Sequence, residues 1–119
     1  MSADISLERK RKDYCNALDE ALQRIVDGLS HIPEVERAIL FGSYAHGRRD
    51  LFTDLDLVVV MDSQAGFIQR GADLRMRLGA RVDLDLLVYT PAEFESMAGY
   101  GFLRRVVETG RVIYEKTAT

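Results

Sequence analysis

The stretch ILFGSYAHGRRDLFTDLDLVVV, Ile39 to Val60, decides the fold. An apolar run ends at Gly42-Ser43, a polar loop follows, and a second apolar run opens on Asp54-Leu55-Asp56. In a strand, residues two apart share a face, so Asp54 and Asp56 project together while Leu55 and Leu57 face the other way. Two adjacent carboxylates repel each other and resist desolvation. A strand that begins this way calls for positive charge beside it.

Outward from this stretch, Val35–Phe41 reads as one strand and Leu55–Met61 as a second. Val82–Tyr89 reads as a third, in which Asp83 and Asp85 again share a face. Upstream, Tyr14, Leu18, Leu22, Ile25, Val26 and Leu29 recur at three- and four-residue steps, which predicts a helix over Asp4–Leu29. Phe67–Leu78 reads as a helix. Thr90-Pro91-Ala92-Glu93 is a helix start with a threonine cap, an N1 proline and a capping-box glutamate. A last helix over Phe102–Thr109 stops at Gly110, and Val112–Tyr114 reads as a short edge strand. The order implies an α+β fold, a small mixed β-sheet with helices packed on it. At 119 residues the expectation is one domain, residues 1–33 forming an N-terminal helix and 34–119 the core.

Charge and composition exclude some classes. The net charge of −3 gives the chain as a whole no electrostatic match to nucleic acid. The run Arg9-Lys10-Arg11-Lys12 reads as a solvated helix face, with phosphate or RNA contact as the minor alternative. One cysteine, Cys15, allows no internal disulfide, and with only His31 and His46 there is no zinc set. No apolar run nears the length that spans a bilayer, so the expectation is a cytoplasmic protein. Tyr44 and Phe52 flank the loop, with packing under it the first expectation and stacking on a base the second, and Met61, Met76 and Met97 are expected to fill core. For Phe94, Tyr100 and Phe102, core packing is the first expectation and a partner-facing patch the second.

If the second and third strands are neighbours, up to four carboxylates converge. Arg48, Arg49 and Arg81 could neutralise them as a salt-bridged strand edge. The alternative is a divalent cation, since hard oxygen ligands near open space suit Mg²⁺ or Mn²⁺ and bound phosphates. Gly42 lets a ligand approach the backbone, and Ser43, opening a short helix over Ser43–His46, adds an anion site. The spacing from Gly42 to Gly47-Arg48-Arg49 nearly matches a P-loop. It lacks both the lysine and the hydroxyl that a P-loop uses.

Gly42-Ser43, ten residues, then Asp54-x-Asp56 resembles the signature of the polymerase-β-type nucleotidyltransferase superfamily. The LFGSYAHG…TDLDLVVV context is similar to its minimal nucleotidyltransferase (MNT) group, and the similarity runs from about Val35 to Glu115. The resemblance implies a polymerase-β-like fold and transfer of a nucleoside monophosphate, AMP if the donor is ATP, to a hydroxyl, releasing pyrophosphate. It implies that Gly42 and Ser43 hold the β and γ phosphates. Asp54 and Asp56 would bind two Mg²⁺ or Mn²⁺ ions, and Asp85, with Asp83 as runner-up, would complete the site. Where the family commonly has arginine this chain has His46, for which Arg48 or Arg49 could compensate in binding the nucleotide. The resemblance further implies a HEPN-type protein partner, as in toxin–antitoxin pairs, or an RNA acceptor. Whether the chain forms an oligomer stays open. A non-catalytic module that neutralises its partner by contact alone is the competing reading.

Overall fold

A computed structural model describes residues 3–117. The elements are α1 (Ala3–Ser30), β1 (Val35–Phe41), α2 (Gly42–Ala45), β2 (Leu55–Met61), α3 (Phe67–Leu78), β3 (Leu84–Tyr89), α4 (Pro91–Met97), α5 (Gly101–Thr109) and β4 (Arg111–Glu115). The four strands form one sheet in the order β3-β2-β1-β4. β1 runs antiparallel to β2 and β4, while β2 and β3 are parallel, so the sheet is mixed.

Alternation along the strands splits the core in two. Ala38, Leu40, Leu55, Leu57, Val59, Leu84 and Val88 face the larger cluster, built with α1 and α3. Leu18, Ile25 and Leu29 of α1 and Leu74 of α3 are fully buried there; each such side chain contributes about 2 kcal/mol of burial. Ile39 and Val58 face the other way, where Leu103 and Val106 of α5 close a smaller cluster. Helix α4 begins as its sequence predicts: Thr90 accepts from the Glu93 N–H, and Glu93 accepts from the Thr90 N–H. Cys15 and Met61 are buried.

Several expectations need correction. β3 begins at Leu84 rather than Val82, because β2 opens at Leu55, whose partner is Leu84. Asp83 lies before the strand and is exposed, its carbonyl accepting from the Leu55 N–H at 3.0 Å. The short helix covers Gly42–Ala45, one residue earlier than expected. Tyr44 is buried, but Phe52 is 82% exposed and Met76 84% exposed. Phe52 rides on a turn whose backbone is held by Asp50 and Thr53, which leaves its ring outside. Met76 sits on the outer side of α3, whose inner side carries Arg70 and Leu74. Tyr100 is exposed, and Phe102, 38% exposed, meets the Phe41 ring.

Candidate active site

Register builds the site. Asp56 pairs with Phe41 on one side and with Asp85 on the other. All three point to the face carrying α4 and α5, opposite Leu55, Leu57 and Leu84. Asp54, just before β2, joins them. Carboxylate oxygens of Asp54, Asp56 and Asp85 lie within 4.8 Å of one another, with Asp54 and Asp56 half-buried and Asp85 exposed. Asp83 is not in this group.

Asp56 has the least comfortable position. Burial, then the charge of Asp54, then hydrogen bonding and charge from Asp85 push its carboxyl up to about 7 from an ordinary 3.8. No arginine or lysine among the described residues offsets these effects. Among the described residues, none of the ion pairs involves Asp54, Asp56 or Asp85. The salt-bridged strand edge is therefore absent: Arg48 Nε pairs instead with Asp50 Oδ2 at 2.7 Å. Arg49 stacks 3.7 Å above the Tyr44 ring and donates to the Tyr44 carbonyl at 2.9 Å. Arg48 still lies within electrostatic reach of Asp54.

Gly42 fits under this cluster because it has no side chain. Its φ is +80°, and a Cβ there would overlap Asp56 Oδ2. Both the left-handed backbone and the close approach demand glycine. Ser43 follows, half-buried, and its carbonyl accepts from the Arg48 N–H at 2.9 Å, folding the loop back on itself. His46 caps α2 and is exposed.

The loop is also tied to α1, which no local motif discloses. Tyr14 Oη donates to the Thr53 carbonyl at 2.6 Å, Arg11 to the Arg49 carbonyl at 3.2 Å, and Tyr44 Oη to Asp19. Burial, then the charges of Asp83 and Asp54, raise the Tyr14 phenol, so Tyr14 stays a donor at neutral pH. A cleft of about 560 Å³ between Arg37, Phe94 and Lys116 is at the other end of the sheet. Among the described residues it carries no carboxylate cluster of this kind.

The family described as polymerase beta, nucleotidyltransferase matches residues 23–119. The chain belongs to this nucleotidyltransferase family. It is 29% identical over 109 residues to the proposed protein adenylyltransferase MJ0604 of Methanocaldococcus jannaschii, covering 90% of this chain and 97% of that one. A crystal structure of a proposed nucleotidyltransferase from Sulfolobus solfataricus matches with a TM-score of 0.56 at 16% identity, covering 93% of this chain and 88% of that one. A toxin–antitoxin crystal structure with AMP-PNP matches with a TM-score of 0.53 at 23% identity, covering 80% and 73%. These two likenesses agree on the polymerase-β-like fold. No helix among the described residues is long and apolar enough to cross a membrane.

Proposed function

We propose that this nucleotidyltransferase moves AMP from ATP to a hydroxyl of a partner protein, and that Asp54, Asp56 and Asp85 form its Mg²⁺ site. The observation that carries the reading is the cluster of three carboxylates with no arginine or lysine paired to it among the described residues, set against Gly42 just past the end of β1. The donor set suits the ion: three hard oxygens, one of them exposed, leave room for phosphate and water. Bound there, divalent cations neutralise the charge that builds on the phosphoryl oxygens.

The chain's own residues do the rest. Gly42 and Ser43 receive the β and γ phosphates, with Arg48 within electrostatic reach of Asp54 beside them. The acceptor oxygen attacks the α-phosphorus and forms the new ester. The α–β bond breaks, pyrophosphate leaves, and the hydroxyl proton passes to Asp85, the exposed carboxylate, and on to water. A protein acceptor is favoured over RNA by the similarity to a proposed protein adenylyltransferase and by the toxin–antitoxin likeness in fold. A HEPN-type partner, with this chain as its antitoxin, is the specific form of the proposal.

The test is to incubate the protein with α-labelled ATP, Mg²⁺ and the protein encoded beside it. Label is expected on the partner with wild type and not with Asp54→Ala or Asp56→Ala. Tight complex formation without label, equal in all three proteins, overturns catalysis and leaves neutralisation by contact.

A further inference from the structure

We infer that Phe102, backed by Phe41, is the platform on which the nucleobase stacks; this rests on the nucleotide reading above. Phe41 sits beside Asp56 in the β1–β2 register, on the same face. The Phe102 ring meets the Phe41 ring edge-on, with centroids 5.3 Å apart and an interplanar angle of 80°. Phe102 is thus one side chain removed from the strand neighbour of Asp56, on the same face of the sheet, as a base is set off from its α-phosphate by the ribose. Phe102 is 38% exposed, so part of the residue held against Phe41 stays open to solvent. A ring already fixed loses little entropy when a base lands on it.

Of the other exposed aromatics, Tyr100 at the N-cap of α5 has no ring partner among the described residues to hold it, and Phe52 and Phe67 lie elsewhere. Phe52 lies in the groove between α1 and the 50–52 turn, with Leu7 and Leu51. Phe67 packs on Tyr89, which pairs with Val60 near the far end of β2. Tyr44 is buried and bound to Asp19. Phe102 is on the face of the carboxylates and at their end of β1.

The experiment compares ATP with inorganic tripolyphosphate, each titrated into the full chain with Mn²⁺ by calorimetry. Phe102→Leu keeps apolar bulk over Phe41 and loses the flat face. It is expected to weaken ATP binding about tenfold, the scale of one base–aromatic stack, and to leave tripolyphosphate binding unchanged. Phe102→Trp is expected to retain ATP binding. Equal losses for both ligands in Phe102→Leu, or no loss for either, overturn the platform. Wild type binding tripolyphosphate as tightly as ATP overturns it too while sparing the phosphate site. Wild type binding neither ligand overturns the nucleotide reading itself.

Discussion

Replacing Asp56 with asparagine is expected to make the metal-free protein more stable. Asparagine keeps the shape and the hydrogen bonds to Asp54 and Asp85 but carries no charge. A carboxyl raised from 3.8 to about 7 is harder to ionise in the folded chain by about 4 kcal/mol. The group is only half-buried, and solvent screening reduces the figure to about 2 kcal/mol. The sign follows from the direction. Below pH 3.8 both states are protonated and nothing is lost; between 3.8 and about 7 the unfolded chain sheds its proton first, and folding stability falls. Above about 7 the loss is complete. Asp56→Asn is therefore expected to match wild type near pH 4 and to exceed it by about 2 kcal/mol at pH 8. For a chain of this length that is about 8 °C in Tm.

The assay is thermal unfolding from pH 4 to 8 in chelator, repeated with Mn²⁺. Mn²⁺ is expected to raise the Tm of wild type, since it binds the folded state alone, and to leave Asp56→Asn nearly unmoved. A Tm difference that does not change with pH refutes the claim that Asp56 bears the electrostatic cost. An undiminished Mn²⁺ response in the variant refutes the metal site.

Gly42→Ala is expected to cost about 2 kcal/mol or more in urea unfolding, from the left-handed backbone and the displaced Asp56 carboxylate, and to abolish Mn²⁺ binding. Asp85→Asn is expected to cut AMP transfer by about a hundredfold or more and Asp83→Asn to leave it near wild type, measured by label transfer at saturating ATP. Arg70 is buried and donates to the Val88 and Ala65 carbonyls and, through two bonds, to Glu93. Arg70→Met is expected to cost about 3 kcal/mol in urea unfolding. The Arg70 hydrogen bonds, with help from the Thr90 N–H, hold Glu93 down at about 2. Its contribution is complete above pH 4.5 and fades as pH falls toward 2, so Glu93→Gln is expected to destabilise at pH 7 and to matter little near pH 2.

The parts of the fold written in short-range alternation were legible. β1 and β2 follow from apolar runs bounded by glycine and aspartate, and α4 follows from its capping box. What depends on neighbours was not. Val82 and Asp83 alternate as well as Leu84 and Asp85 do, but a strand extends only as far as its partner, and β2 begins opposite Leu84. Helix α3 shows Ile68 and Met76 as apolar, yet its inward row is Arg70 and Leu74. An arginine on the core side reads as polar until Glu93, far along the chain, appears beside it. Arg48 and Arg49 stand in the right loop for phosphate, and sequence cannot tell that Tyr44 and Asp50 engage them first.

The N-terminal helix matters for the same reason. The strands fix Asp56 and Asp85 by register, but Asp54 stands outside β2 on the loop. Thr53, next to it, is fully buried, and its carbonyl is held by Tyr14. Arg49 stacks on Tyr44, whose hydroxyl is held by Asp19, and Arg11 anchors the Arg49 carbonyl. Three points on α1 thus restrain the one segment of the cluster that the sheet does not. Strand register places two of the carboxylates and α1 steadies the loop that carries the third, and the three converge within 4.8 Å. A loop so restrained can meet a cation without first being ordered by it, which lowers the entropy lost on binding.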